Sequence, residues 1–174
     1  MREWIPVSTS PKGRLALAAV REFGARSFDE VTVGELARAA DVTTGALYHH
    51  FGSKLGLYTF VRDDVERRLL DRMEGALAAV GDEEDRSAGT RAALLVGFDF
   101  AVRESFLHLL GAPPPGGQQD SLVDLLRSST PSASPVLGSV LAAAWRAALG
   151  AVAAGSRPQE ARAALLALDV RVAA

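Results

Sequence analysis

Polar and aromatic side chains gather in one short stretch of the chain, DVTTGALYHHFGSK, from Asp41 to Lys54. Hydroxyl, imidazole and ammonium groups at this density can donate hydrogen bonds to phosphate oxygens and to base edges. Between Val42 and Arg62 the sequence contains two histidines, a lysine and an arginine but no Asp or Glu. A surface that has basic but no acidic side chains attracts a polyanion such as DNA. The stretch therefore predicts contact with DNA, the alternative being chance in an Ala- and Leu-rich sequence.

Two short helices joined by a tight turn are predicted to position these side chains. Thr32 and Glu35 fit a capping box, so a first helix starts directly after Thr32. Asp41 stands where the chain leaves that helix, and Asp tolerates the left-handed turn conformation. Thr43 can cap a second helix that runs to about Phe51. This pattern predicts a helix-turn-helix, which places its second helix in the major groove.

Almost every other periodic segment of the 174-residue chain also predicts a helix, and no alternating run is long enough for a strand. The expected fold class is all-α. Ser53 and Ser156 are the expected N-caps of two of these helices. The helix after Ser53 spans about 40 Å at about 1.5 Å per residue, long enough to couple two modules. Outside the helix-turn-helix, the expected helices cover about 11–26, 54–80, 88–110, 121–127, 136–154 and 157–172.

The composition is that of a globular chain, with 48% hydrophobic and 23% charged residues. A formal net charge of −2, with 11 Lys plus Arg against 11 Asp plus Glu in residues 1–80, argues neither for nor against nucleic acid. The absence of cysteine excludes a disulfide framework and Cys-type zinc sites. No apolar run approaches the roughly 20 residues that span a bilayer, and no signal peptide is expected. A cytoplasmic location is the default expectation.

Three motifs stand in order within VTVGELARAADVTTGALYHHFGSKLGLY: T-V-x-x-L-A-x-x-A, G-x-L-Y-x-H-F and x-S-K-x-x-L-Y. Through them the run from about Arg14 to Tyr58 resembles the DNA-binding domain of TetR/AcrR-type transcriptional regulators. Asp41 and Ser27 replace glycines of the family pattern, and Thr44 stands where a basic or polar base-reading residue is frequent. The resemblance implies a helix-turn-helix domain at 1–53, a connecting helix at 54–80, and a helical ligand-binding and dimerisation domain at 81–174.

Nine residues are predicted to face the DNA, and the resemblance implies contacts with phosphates for Tyr48 and His50 and with base edges or sugar for His49. A lysine in the first turn of a helix opposes the helix dipole by roughly 0.3–1 kcal/mol, a cost that a phosphate beside it would reverse. The alternatives are pure capping for Thr32, packing for Tyr48 and plain solvation for the lysine. The nine are Thr32, Thr43, Thr44, Gly45, Ala46, Tyr48, His49, His50 and Lys54.

The sequence lacks several common catalytic motifs. No G-x-S-x-G, P-loop or dinucleotide glycine pattern is present, so an enzyme is not expected and no cofactor is predicted. A metal site at His49 and His50 is not expected either, because adjacent helical side chains do not converge and no third ligand is near.

The C-terminal half carries predictions about assembly and ligands. A monomer contacts only one half-site, and useful affinity needs two recognition helices about one DNA turn, or a multiple of it, apart, so a homodimer is expected. Ala-rich, Leu-lined faces at about 136–154 and 156–172 allow close packing between subunits, with ordinary intrachain core as the alternative. Asp99 either binds a ligand's polar group or pairs with Arg103 one turn along. The candidate ligand-binding residues are Phe98, Asp99, Val102, Phe106 and Trp145.

Together these features predict a ligand-responsive transcriptional regulator. The expected form is a homodimeric repressor that binds a near-palindromic double-stranded operator and is released by a small molecule. The alternative is an all-α ligand- or partner-binding protein that does not bind a specific operator. No contact with a membrane is expected in either case.

Overall fold

The computed structural model of the chain describes residues 9–80, 86–130, 134 and 136–168. Within these ranges the regular structure is entirely helical, apart from turns, and contains no strand. The all-α prediction is therefore confirmed. The α-helices are α1 Pro11–Ala25, α2 Val33–Ala39, α3 Thr44–Phe51, α4 Lys54–Val80, α5 Arg86–Arg103, α6 Leu107–Gly111, α7 Ser121–Ser129, α8 Leu137–Ala153 and α9 Pro158–Leu166.

Local capping explains where the helices of the N-terminal part begin. The Glu35 amide donates to Thr32 Oγ1 at 3.2 Å, and the Thr32 amide donates to Glu35 Oε2 at 2.8 Å, which completes the predicted capping box. Thr43 Oγ1 accepts the Ala46 amide at 3.3 Å and Ser53 Oγ accepts the Gly56 amide at 2.9 Å, which caps the first turns of α3 and α4. Asp41 has φ +52°, the left-handed conformation expected at the turn. The predicted helix-turn-helix is thus confirmed.

The single helix predicted over 88–110 is wrong, because α5 and α6 are separate helices. Ser105 has φ +60°, a conformation that no helix continues through. The break directs Phe106 into the core, where its ring lies 5.6 Å from that of Phe100. Gly24 of α1 fits against the break, since a Cβ at Gly24 would lie 2.4 Å from the Ser105 carbonyl oxygen. No Gly or Pro marks this break in the sequence, so local patterns did not predict it.

Gly24→Ala is expected to lower the free energy of unfolding by about 2 kcal/mol, because the new methyl group must displace a backbone carbonyl in a packed core. Gly75→Ala is the matched control. Gly75 is an exposed glycine of α4 with open space around its would-be Cβ, and alanine there should stabilise the helix by about 1 kcal/mol. Urea denaturation of both variants measures the difference. A Gly24→Ala variant as stable as Gly75→Ala would contradict the close approach of α1 to the Ser105 carbonyl.

The final helix begins later and ends earlier than predicted. Arg157, and not Ser156, is the N-cap of α9, and it provides no side-chain cap. Pro158 occupies the first turn as expected, because its missing amide needs no partner there. Gly155 forms the turn before it with φ +103°. The helix ends at Leu166, and the predicted continuation to 172 falls on residues 169–172, which lie outside the described residues.

One continuous apolar core extends from α1 to α9. Trp145 of α8 lies at its centre, and its indole N–H donates to the Leu94 carbonyl at 3.0 Å. Core side chains from all parts of the chain pack together. The division of the chain into domains at residues 53 and 80 therefore stays a prediction. Among the helices that the structure describes, none combines the length and apolar character needed to cross a bilayer.

Two charged side chains of α4 are buried in this core. Arg62, which is 1% exposed, donates through Nη1 to the Leu109 carbonyl and through Nη2 to the Ala112 carbonyl, the latter at 2.8 Å. Arg62 therefore binds the C-terminal end of α6 and does not contribute to the acid-free surface predicted around the helix-turn-helix. Asp64, which is 2% exposed, forms an ion pair with Arg67 through one oxygen, and its other oxygen has no partner among the described residues.

The buried carboxyl of Asp64 is expected to make stability depend on pH. Burial raises its pKa to about 6, and the charge of Arg67 offsets only part of this effect. Because the folded-state pKa lies above the unfolded value, the folded chain binds the proton more tightly, and stability falls as pH rises from about 4 to 6. Asp64→Asn should therefore raise the free energy of unfolding at pH 8 by about 2 kcal/mol and change it little near pH 4.

Urea denaturation at both pH values tests this expectation. Glu74→Gln, at an exposed carboxyl on the same helix, is the control and should show no such pH difference. A loss of stability of Asp64→Asn at pH 8 would mean that the ionised carboxylate stabilises the fold.

Candidate nucleic-acid interface

Helix α3 presents most of the predicted contact residues to solvent. Leu47 is fully buried and fixes the rotation of the helix against α1 and α2. Because successive helical side chains are about 100° apart, burial of this position turns the neighbouring positions outward. The exposed members of the predicted set on α3 and its N-cap are Thr43, Thr44, Gly45, Tyr48 and His49.

The remaining members of that set lie at the margins of this face. Ala46 and His50 are partly covered, and the imidazole rings of His49 and His50 meet edge-on at 4.9 Å. Thr32 is exposed at the start of α2, but its hydroxyl donates to Glu35 Oε2 at 2.7 Å and accepts the Glu35 amide. The hydroxyl is thus used by the capping box, and the backbone amides of the first turn of α2 are the groups left for an anion.

A groove of about 580 Å³ lies between α2 and the start of α3. Gly34 on one side and Thr43 and Thr44 on the other form its walls. Arg38, which is exposed on α2, also lines the groove, and its guanidinium makes no hydrogen bond or ion pair with any residue in the described part of the chain. Its guanidinium is therefore free to bind an anion or a guanine edge. Sequence reasoning missed Arg38, although it stands one helical turn after Gly34 on the polar face of α2.

Lys54 has partners that neither sequence interpretation included. Its Nζ donates to the carbonyls of Phe28 and Val31 at 2.9 and 3.0 Å and lies 4.1 Å from the centre of the Phe28 ring. These carbonyls offset the cost of a cation in the first turn of α4, so the plain solvated lysine is wrong. An ammonium has three donors, and one remains for a phosphate.

Two side chains of α1 support this surface from behind. Arg14 donates from Nε to the Ala40 carbonyl at 2.8 Å and from Nη2 to the Asp41 carbonyl at 3.2 Å, which holds the turn between α2 and α3. Lys12 lies over the rings of Phe51 and Phe60, at 5.8 and 5.2 Å from their centres. Lys12 therefore places a positive charge close to the end of α3.

The five candidate ligand-binding residues share no cleft within the described part of the chain. Phe98, Phe106 and Trp145 are buried in the core, and Val102 packs against it. None of the five lines a cleft described for this structure. A role of these residues in ligand binding stays a prediction.

Asp99 forms an ion pair with an arginine of α9 and not with Arg103. Arg162 of α9 donates from Nε to Asp99 Oδ1 at 2.9 Å and from Nη2 to Oδ2 at 3.2 Å. The expected pairing with Arg103 is wrong, because Arg103 lies against Glu104 at 3.3 Å. The Asp99–Arg162 pair joins α5 to α9 near the surface, where such pairs contribute about 0–1 kcal/mol.

Comparison with known proteins finds a family match over the helix-turn-helix. Residues 16–59 match the family of bacterial regulatory proteins described as the tetR family. The chain is 33% identical over 94 residues to the HTH-type transcriptional activator FasR of Mycolicibacterium smegmatis, an alignment that covers 54% of this chain and 42% of the relative. The chain thus spans about two fifths of the length of this curated relative.

A solved structure extends the likeness to the whole fold. A chain described as a tetR family transcription regulator from Shewanella sp. PV-4 superposes with a TM-score of 0.63 at 21% identity, covering 91% of this chain and 95% of that one. At that identity the likeness concerns the fold alone. Residues 16–59 are thus similar to the tetR family of bacterial regulatory proteins, and the chain shares its fold with a solved structure described as a member of that family.

Proposed function

We propose that this chain is a TetR-type transcriptional regulator that binds a near-palindromic operator as a homodimer, represses transcription from it, and is released when a small molecule binds. The observation that carries the proposal is the exposed face of α3 beside the unpaired Arg38. Tyr48, Thr43 and Thr44 supply hydroxyl donors on that face, and Arg38 supplies a bidentate cation. A protein of this type works on chromosomal DNA, so a cytoplasmic location belongs to the proposal.

The residues on this face suit the phosphate backbone better than they suit base edges. Thr44 and Ala46 are short and reach the bases only where the helix lies deep in the groove. Gly45 has no side chain and allows that close approach, since its would-be Cβ meets only its own N-cap hydroxyl at 3.6 Å. Arg38 is the longest donor on the face, and we assign it the largest share of base reading.

The dimer proposal rests on an apolar stripe along α8 that nothing in the described chain covers. Val136 and Val140 are 61% and 57% exposed, and Leu166 of α9 is 44% exposed. Between the two helices lies an alanine-lined groove of about 350 Å³, bordered by Ala147 and Ala151. Small side chains let a second pair of helices approach closely, and an exposed apolar patch favours association. These features support a four-helix interface between two copies.

Val140→Glu tests this interface. A carboxylate in the middle of the stripe should convert the dimer to a monomer of 18.3 kDa, because each copy would bury an unpaired charge. Val96→Glu, at an exposed valine of α5, is the matched control and should leave the dimer mass unchanged. Light scattering after size exclusion measures both. A Val140→Glu protein that stays dimeric would place the interface elsewhere.

We propose that the small molecule causes release of DNA by shifting α4. This helix begins two residues after α3 and continues into the core, where Leu69 and Met73 pack against α5. A shift of its core end would change the separation of the two recognition helices. For release, the small molecule must bind the shifted state more tightly than the DNA-bound state.

Fluorescence anisotropy with duplexes from the DNA flanking the gene tests operator binding. A specific duplex should bind more tightly than a scrambled one at about 150 mM salt, where non-specific affinity is weak. Equal affinity for both duplexes would favour the alternative, a ligand- or partner-binding protein of the same fold. A reporter fused to the bound promoter then shows the sign of regulation. Repression is expected, although the similar protein from Mycolicibacterium smegmatis is named an activator.

A further inference from the structure

A second cleft lies at the junction between the helix-turn-helix and the rest of the chain. It has a volume of about 370 Å³, within the range of small-molecule sites. We call it the junction cleft. Phe28 from the α1–α2 connection, Tyr58 of α4, His108 of α6, and Gly150 and Ala153 of α8 form its walls. It is distinct from the α2–α3 groove and shares no residue with the candidate ligand residues chosen from sequence.

Tyr58 lines this cleft with a side chain that is almost wholly buried. The side chain is 6% exposed, and its ring is held edge-on by Phe23 at 5.1 Å and Phe28 at 5.0 Å. Its hydroxyl makes no hydrogen bond with any residue of the described ranges. The hydroxyl oxygen is accessible from the cleft, so it can donate a hydrogen bond to a bound molecule or accept one from it.

The charges around the cleft favour a neutral or positively charged head group over an anion. Glu30 lies close to His108, and hydrogen bonds from Ser27, followed by the charge of His108, lower the pKa of the Glu30 carboxyl. The Ser27 amide and hydroxyl hold this carboxylate at 2.9 and 2.7 Å. The C-terminal end of α8, at Ala153, adds the negative end of a helix dipole. Both features repel a carboxylate.

Two cations of α4 bind the backbone of opposite walls. Lys54 Nζ donates to the carbonyl of Phe28, and Arg62 Nη2 donates to the carbonyl of Ala112. Phe28 and Ala112 both line the cleft. A molecule that moves either wall therefore displaces a carbonyl to which α4 is hydrogen-bonded, and α4 directly follows α3 in the chain. This connection links occupancy of the cleft to the position of the recognition helix.

We propose that the junction cleft binds a small aromatic molecule with a hydroxyl or amine head group, and that its occupancy changes operator affinity. The aromatic body lies against Phe28 and the Ala153 side of α8, and the head group bonds to the Tyr58 hydroxyl and the His108 imidazole. The ligand site stands on the geometry of the cleft alone, whereas the effect on operator affinity rests on the proposed function.

Titration with 2-naphthol, followed by its own fluorescence, tests the site, with 2-naphthoate as the anionic comparison. For a compound of this size, a saturable dissociation constant of about 0.5 mM is expected. The carboxylate should bind at least about fivefold more weakly. Absence of saturable 2-naphthol binding, or equal binding of 2-naphthoate, would overturn the proposal.

Gly150→Leu locates the site, because a side chain at this exposed helical glycine extends into open space in the cleft. It should weaken 2-naphthol at least about tenfold by occupying the same volume. Gly75→Leu, the same change at a helical glycine outside the cleft, should have no effect. Tyr58→Phe, which removes only the hydroxyl, should weaken binding about fivefold. Binding that neither Gly150→Leu nor Tyr58→Phe weakens would place 2-naphthol elsewhere and overturn the site.

Anisotropy with and without 2-naphthol separates the two proposals. A change in operator affinity that Gly150→Leu abolishes supports the effector role, and saturable cleft binding with unchanged operator affinity overturns that role. If no duplex is bound specifically while the cleft still binds 2-naphthol, the operator proposal fails and the ligand site stands. Light scattering confirms that Gly150→Leu keeps the mass of the parent protein.

Discussion

Arg62→Met is expected to lower the free energy of unfolding by about 3 kcal/mol. Methionine matches the length of the side chain and removes a buried charge, but it leaves the carbonyls of Leu109 and Ala112 without their donors. Hydrogen bonds to a charged donor contribute about 1.5–3 kcal/mol each, more than the gain from removing one desolvated cation. The net loss corresponds to a fall of about 10 °C in the melting temperature.

Thermal and urea denaturation of the full chain measure this loss. Arg103→Met is the matched control, because Arg103 is 65% exposed in its side chain and contacts only its neighbour Glu104. Its stability should change by less than about 0.5 kcal/mol. Arg62→Lys keeps the charge but cannot reach both carbonyls with one planar fork, so an intermediate loss is expected. An Arg62→Met protein as stable as the parent would mean that the hydrogen bonds from the guanidinium to the end of α6 do not stabilise the fold.

Arg38→Ala is expected to lower operator affinity by about 10- to 100-fold, since a base or phosphate contact of a free guanidinium is worth about 1–3 kcal/mol. Tyr48→Ala should give a loss of the same order, and the double variant should approach non-specific binding. Neither residue has a buried contact, because both side chains are exposed. The dimer mass and the melting temperature should therefore stay unchanged, which separates loss of contact from loss of fold.

Salt dependence shows whether Arg38 reads bases or phosphates. If it binds a phosphate, Arg38→Ala should reduce the slope of log K against log salt by about 1 per subunit. If it reads a guanine, the slope stays and discrimination at one position of each half-site relaxes. Arg103→Ala, which removes an equal charge far from α3, is the control. Unchanged operator affinity of Arg38→Ala would remove the α2–α3 groove from the DNA interface.

Lys54 is a less suitable substitution for testing DNA contact. Its alanine variant would lose two hydrogen bonds to the Phe28 and Val31 carbonyls together with any phosphate contact. A fall in affinity would then have two explanations. Arg38 and Tyr48 avoid this ambiguity because they have no structural partner in the described chain.

The sequence by itself determined the features that depend on residues three or four positions apart. The Thr32–Glu35 capping box, the caps at Thr43 and Ser53 and the left-handed Asp41 all agree with the structure. Their bonds join groups within one helical turn, so the pattern alone contains them. The same locality made the helix-turn-helix recognisable, because its motif lies within about 30 consecutive residues.

Tertiary structure alone decided the partners of the charged side chains and the break between α5 and α6. Lys54 binds carbonyls 23 and 26 residues away, Arg62 binds carbonyls 47 and 50 residues away, and Asp99 pairs with Arg162 across 63 residues. Helical periodicity shows which face of a helix is apolar, but it does not show which helix lies opposite. Packing therefore placed Phe98, Phe106 and Trp145 in the core, gave Lys54 and Arg62 backbone carbonyls as partners, and left the Arg38 guanidinium free beside the recognition helix.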